Sequence, residues 1–280
     1  MLSLHKGVLW MVIATLFFAL MGTCVKLGAI YFSETELVFY RSFISLFFVI
    51  LIAKSKNINL GTQYIRLHLF RSFMGFFSLL AFFYAISKLP LSTAISLNHT
   101  SPLFIGLLIP FILNKKLKKW LFFIICVGLL GIFLILKPTF NNQSYLAGFI
   151  GLTSGFGAAL SYLFIIKLSQ RKEPDIRTVF YFTSISTIGS GIILLFKDIH
   201  PPQINHFWIL IGLGLSATIA QIALTKAYRV GNALGNAGLS YLTVIFSTII
   251  GLIWFKEYLD WQSSIGIILI IISGIFASKK

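Results

Sequence analysis

Arg41 lies about one helical turn inside an apolar run, flanked by Phe39, Tyr40 and Phe43. A guanidinium at bilayer depth costs at least ~2.5 kcal/mol on insertion scales, so it usually faces protein rather than lipid. Held there, it can grip a carboxylate or phosphate through two parallel hydrogen bonds. A structural alternative is that it snorkels to the interface or binds carbonyls at a helix end. Lys26 and Arg71 lie close to helix ends, and snorkelling is the expectation for both.

The densest polar run inside any apolar stretch is Asn98-His99-Thr100-Ser101-Pro102. On a continuous helix Asn98, Ser101 and Pro102 share a face, with His99 about 100° round. Pro102 removes a backbone donor and frees a carbonyl, as expected where a helix bends around a cavity. His99 is the one histidine in an apolar stretch and titrates near neutrality when unperturbed, which makes it the candidate for proton coupling. Packing between helices accounts for Asn98 and His99 equally well. Further on, Gln221, Asn236, Ser240, Tyr241 and Thr243 are polar positions in apolar surroundings. Phe83, Tyr84 and Tyr162 are aromatics able to stack on a flat or cationic solute. The candidate binding set is therefore Arg41, Phe83, Tyr84, Asn98, His99, Ser101, Tyr162, Gln221, Asn236 and Tyr241.

What is missing narrows the chemistry. The seven acids (Glu34, Glu36, Glu173, Asp175, Asp198, Glu257 and Asp260) all map to loops or helix ends. This argues against intramembrane aspartyl proteolysis, a carboxylate-bridged metal site and a buried carboxylate proton relay. Cys24 and Cys126 sit in apolar stretches with no CxxC or Cys/His cluster, so neither zinc nor a disulfide is indicated. The glycines match no Walker A or dinucleotide fingerprint. Gly151, Gly155 and Ala159 make a small-residue stripe, as do Thr243, Ser247 and Gly251, and such stripes permit close helix approach. No cofactor is expected. An enzyme would rest on His99 near Ser101 alone, without an orienting acid.

The elements that hold these residues follow from composition. Of 280 residues, 58% are hydrophobic and 11% charged, against about a quarter charged in soluble domains. The net charge of +16 does not indicate a nucleic-acid binder, because the basic residues fill short gaps between apolar runs instead of one wettable face. About 20 apolar residues cross the hydrocarbon core. Ten spans are predicted, at Gly7–Lys26, Leu37–Ala53, Leu67–Ser87, Leu91–Leu113, Trp120–Leu136, Tyr145–Leu168, Thr178–Phe196, Phe207–Tyr228, Ala233–Phe255 and Trp261–Ala277. The first run is too long for a cleavable signal peptide. Continuous runs rather than alternating ones argue against a β-barrel. With the N-terminus in the cytoplasm, 17 Lys and Arg fall on the cytoplasmic side and 5 on the other, Arg41 completing the 23. That bias predicts a multi-pass inner-membrane protein with both termini cytoplasmic.

Tyr84–Trp120 and Lys226–Trp261 share a plan: a helix end, a very short turn, a long helix, a charged gap and a Trp-led helix. The chain thus reads as two repeats of five spans, residues 7–137 and 145–277. An odd span number inverts the second repeat in the membrane, an arrangement typical of secondary transporters. A passive channel or a non-transporting scaffold is the alternative class.

Several stretches carry a resemblance. Phe39-Tyr40-Arg41, Arg71-Ser72-Phe73, Phe82-Phe83-Tyr84-Ala85, Leu89-Pro90-Leu91-Ser92-Thr93-Ala94, Ser101-Pro102-Leu103-Phe104, and Trp120 with Gly128 and Gly131 resemble the EamA family of the drug/metabolite transporter superfamily. The resemblance implies an all-α, ten-helix carrier with a cavity lined largely by spans 3, 4, 8 and 9. It also implies a metabolite cargo such as an amino acid or a relative of one, with S-adenosylmethionine-type uptake as the alternative within the family. Two facing halves that exchange conformations would supply alternating access, and the lack of a buried acid favours a small neutral, zwitterionic or anionic cargo over a polycation. The family usually carries Gly-Glu after the fourth span, where this chain has Asn114-Lys115-Lys116, while the second repeat keeps Glu257. The expected partners are a small-molecule substrate and the lipid bilayer, with protons through His99 and a second copy of the chain as further candidates.

Overall fold

A computed structural model of the chain describes residues 2–113, 123, 127, 128, 130, 131, 134, 142–197, 199–231, 236, 239–257 and 260–278. The described residues form helices α1 (Leu2–Gly28), α2 (Glu34–Ser55), α3 (Ile65–Lys88), α4 (Leu91–Asn98), α5 (Ser101–Leu113), α6 (Asn142–Gln170), α7 (Asp175–Leu194), α8 (Phe207–Val230), α9 (Leu242–Trp254) and α10 (Trp261–Ser278). Six helical segments among them are long and apolar enough to cross a membrane, including Leu91–Ile112 across the α4–α5 junction. The fifth predicted span lies largely outside the described residues, although Phe123, Val127, Gly128, Leu130, Gly131 and Leu134 within it are helical.

The fourth span is not the continuous helix expected from its hydropathy. It breaks at His99–Thr100, where the Thr100 N–H donates to the Leu97 carbonyl at 3.2 Å. The cause is local: Pro102 has no N–H to offer the Asn98 carbonyl four residues back. The ninth span also departs from expectation, because Ser240 and Tyr241 form a turn before α9 begins at Leu242. By the repeat, the two turns occupy corresponding places in their halves.

Packing follows the same symmetry. α1 lies along α8 and α3 along α6, α2 packs on α7, and α4 packs on both α6 and α9, while α9 packs on α1. Exchanging each span for its counterpart five places on returns the same set of pairs. The helices are apolar on the outside and partly polar within. Phe43, Phe47, Phe70, Phe73 and Phe77 are exposed, whereas Ser42, Ser45, Ser72 and Ser78 on the same two helices are buried. This inside-out pattern suits lipid as solvent, where small polar residues let helices approach and bond. Thr218 illustrates it: its hydroxyl donates to Ser45 Oγ at 2.9 Å, joining α8 to α2.

Gly155 on α6 is required by one such approach. A Cβ there would lie 2.8 Å from the Leu97 carbonyl oxygen and 3.0 Å from that of Asn98. The small-residue stripe on α6 therefore seats the α4–α5 break.

Candidate functional site

A cavity of about 70 Å³ lies at the centre of the bundle. It is walled by both halves: Met11, Thr15, Phe18 and Met21 of α1, Arg41 of α2, Arg71, Gly75, Ser78, Leu79 and Phe82 of α3, and Asn98 and His99 at the α4–α5 break. Ala158, Ser161 and Tyr162 of α6, Phe182 of α7, Gln221 and Leu224 of α8, and Ser240 and Thr243 complete it. The wall is thus broader than spans 3, 4, 8 and 9, because α1, α2, α6 and α7 also contribute. No Asp or Glu is among these lining residues.

Arg41 and Arg71 are each 1% exposed. This corrects the expectation that Arg71 snorkels, and it removes the snorkelling alternative for Arg41. α3 begins at Ile65, so Arg71 is carried deeper than its predicted place near a helix end. Both guanidiniums face the Phe182 ring, with Cζ 5.0 Å from its centroid for Arg41 and 3.9 Å for Arg71. Among the described residues, Nε and Nη1 of both arginines have no hydrogen-bond partner. Gly75 makes the arrangement sterically possible, since a Cβ there would lie 2.9 Å from Phe182 Cε2 and 3.0 Å from Arg71 Nη1.

The break positions its own polar groups. Asn98 Nδ2 donates to Ser154 Oγ at 2.9 Å, and His99 Nδ1 lies 3.4 Å from Ser240 Oγ, so the turns of the two halves meet across the cavity. Of the candidate set, Arg41, Asn98, His99, Tyr162 and Gln221 line the cavity; Phe83, Tyr84, Ser101, Asn236 and Tyr241 are not among its lining residues. Phe83 is fully buried in the apolar core, against which Tyr84 packs. Asn236 donates through Nδ2 to the Ala227 carbonyl at the end of α8. Tyr241 is buried with its ring centroid 6.4 Å from that of His99. Sequence reasoning missed Arg71 as a cavity group, and Phe182 altogether. The signal for Arg71 was the one used for Arg41, a cation inside an apolar run; Phe182 is one of 29 phenylalanines and carried none.

Ionic ties hold both ends of the bundle, and two of them join the halves through a carboxylate. At one end Lys26 Nζ lies 2.6 Å from Glu257 Oε1 and donates to the Leu89 carbonyl at 2.8 Å. The same carboxylate accepts the Leu91 N–H at 2.9 and 3.0 Å, capping α4. Lys26 is therefore tied down and does not reach freely to the interface. At the other end Glu173 is bound by Arg177 at 2.8 Å, His68 Nε2 at 3.1 Å and the Thr62 hydroxyl at 3.1 Å. Burial works against the Glu173 charge, but the hydrogen bonds from Arg177, His68 and Thr62 outweigh it and hold the carboxyl below its ordinary value.

These features define a multi-pass membrane protein with a polar chamber between two similarly packed halves. Residues 5–137 and 146–278 each match the EamA-like transporter family, and the chain belongs to that family. It is 30% identical over 99% of its length, and 97% of the relative's, to the pseudopaline exporter CntI of Pseudomonas aeruginosa. It is 24% identical to the S-adenosylmethionine uptake transporter of Rickettsia prowazekii, over 97% of this chain and 92% of that one. A solved crystal structure superposes with a TM-score of 0.70 at 17% identity, covering 97% of this chain and 94% of the other, and so shares the fold. Being an EamA-family membrane transporter places the chain outside the enzymes. One relative is named an exporter and the other an uptake transporter, so the family holds carriers of both directions.

Proposed function

We propose that this protein is a secondary transporter moving a small, amino-acid-related metabolite across the cytoplasmic membrane by alternating access. In this reading the central cavity is the transport site and the moving units are residues 7–137 and 145–277. The observation that carries the reading is a pair of buried arginines that, among the described residues, have no ion-pair partner and share a chamber with no lining carboxylate. A buried guanidinium demands a partner, and here the cargo supplies it. The discontinuous fourth and ninth spans, meeting at His99 and Ser240, fit the broken helices that line transporter sites.

The same chamber disfavours S-adenosylmethionine, whose sulfonium is a cation and would face two guanidiniums with no compensating acid. Both termini are assigned to the cytoplasm. That assignment rests on the charge bias; the ties described above support only the alternation of the gaps, since each joins gaps that the bias groups on one face. His99 is assigned as the proton-coupling group.

The test is counterflow with purified protein in liposomes. Saturable, trans-stimulated exchange of amino-acid-like solutes is expected, with Arg41→Ala and His99→Ala lowering flux at unchanged expression. Movement of polyamines without amino-acid-like solutes would overturn the reading, and wild-type flux in both variants would remove the assigned site.

A further inference from the structure

We infer that the cargo is a small dianion, either a dicarboxylate or a phosphate monoester, held between Arg41 and Arg71 against the Phe182 ring. This inference rests on the transport reading above and narrows its cargo from small neutral, zwitterionic or anionic metabolites to doubly anionic ones. It starts from charge. Two permanent cations lie inside the bundle, 1% exposed each, and the lining residues include no acid. Burying a cation is tolerated when it is paired and hydrogen-bonded, and is otherwise strongly unfavourable. Contact with an aromatic face offsets only part of that cost.

Geometry makes the two cations one site. Both guanidinium carbons lie over the same ring, at 3.9 and 5.0 Å from its centroid, so their separation cannot exceed the sum of those distances. Each keeps Nε and Nη1 without a partner among the described residues, donors on two different edges of the guanidinium, so each arginine offers an anion's oxygens charge-assisted hydrogen bonds from more than one side. Ser161 Oγ is occupied with the Arg71 carbonyl at 3.2 Å, which anchors that stretch of α3 to α6.

A monocarboxylic zwitterion satisfies this site poorly. Its carboxylate pairs one guanidinium, while its ammonium adds a third cation beside the other. A dianion neutralises both and brings no cation. Gln221 Nε2 and the Thr243 hydroxyl, also buried and without partners, remain for the uncharged part of the solute.

The experiment uses the full chain, purified and reconstituted, with succinate, glycerol 3-phosphate and alanine as probes. Succinate or glycerol 3-phosphate is expected to raise the melting midpoint and exchange saturably in counterflow, and whichever does so identifies the source of the two charges. Alanine is expected to compete at least about tenfold more weakly, as the loss of one charge-assisted contact implies. Arg41→Gln and Arg71→Gln should each weaken the dianion by a similar factor and narrow its advantage over alanine, while Arg→Lys variants retain part of it. Saturable alanine exchange that neither dianion inhibits overturns the inference and leaves the carrier reading standing. Absence of saturable exchange with all three probes and with amino-acid-like solutes overturns both.

Discussion

Glu257→Gln removes one negative charge from the tie that holds α1, the start of α4 and the α9–α10 connection together. Its carboxylate contacts Lys26 Nζ at 2.6 Å and the Leu91 N–H at 2.9 and 3.0 Å. The Leu91 amide is one of the unsatisfied donors at a helix N-terminus, where negative charge contributes ~0.3–1 kcal/mol. Hydrogen bonds to charged groups contribute ~1.5–3 kcal/mol. Side-chain exposures of 24% for Lys26 and 11% for Glu257 put the ion pair between surface and interior, so the lower part of that range applies. Glutamine keeps one acceptor for Leu91 and loses the charge, giving a net loss of about 2 kcal/mol.

That loss acts on a conformational equilibrium. Lys26 and Leu91 belong to the first half and Glu257 to the second, so opening the bundle at this end must separate them. About 2 kcal/mol corresponds to roughly a thirtyfold change in the ratio of closed to open forms. The assay is amide hydrogen exchange by mass spectrometry across residues 88–95, in parallel with melting. Glu257→Gln should exchange faster there and leave the Glu173 end unchanged. Lys26→Met should reproduce part of the effect, and the double variant should be less than additive. If exchange around Leu91 stays at the wild-type rate in Glu257→Gln, the carboxylate does not hold this end closed and the reasoning fails.

Other expectations are more compact. Gly155→Ala places a Cβ 2.8 Å from the Leu97 carbonyl and should cost ~1–3 kcal/mol by overpacking, read as a lower melting midpoint and weaker binding. The depressed Glu173 ionisation contributes stability that is present above the unfolded carboxyl value and lost as pH falls through the lower folded one. Wild-type melting should therefore drop on acidification below about pH 4.5, the ordinary value, and the Glu173→Gln variant should lose this part of the dependence. His99→Gln should keep counterflow while losing stimulation by an imposed pH gradient; a gradient response equal to wild type rejects His99 as the coupling group. Because an empty carrier would have to occlude two guanidiniums with unsatisfied donors, exchange should outpace net efflux into solute-free medium.

How much was readable from the chain depended on the kind of signal. The all-helical, multi-span character and the division into two repeats were readable because hydropathy and repeat pattern act over whole spans. Arg41 stood out because a lone cation in an apolar run has few explanations. Arg71 carried the same signal, but depth depends on where a helix starts, and α3 starts at Ile65, two residues before the predicted Leu67. Phe83 and Tyr84 illustrate the opposite error: an aromatic has the same hydropathy whether it faces core, cavity or lipid, and only packing decides. The break at His99–Thr100 was half visible, since Pro102 predicted a bend while the apolar run predicted continuity. The missing backbone donor took precedence over hydropathy there because α6, through Gly155, receives the displaced carbonyls.

The repeat also shows where the two halves diverge. The second half keeps the acid that ties Lys26 and caps α4, whereas the first carries Asn114-Lys115-Lys116 at the matching place. In a strictly symmetric carrier, the two gates would cost the same to open. Here the Lys26 end is held by Glu257 of the second half, which ties Lys26 and caps α4 of the first. The Glu173 end is held differently, by His68 and Thr62 of the first half bonded to Glu173 of the second. Opening either gate separates a carboxylate from its donors, so the two ends reach the same result from unlike positions, and Glu257→Gln should loosen only the first.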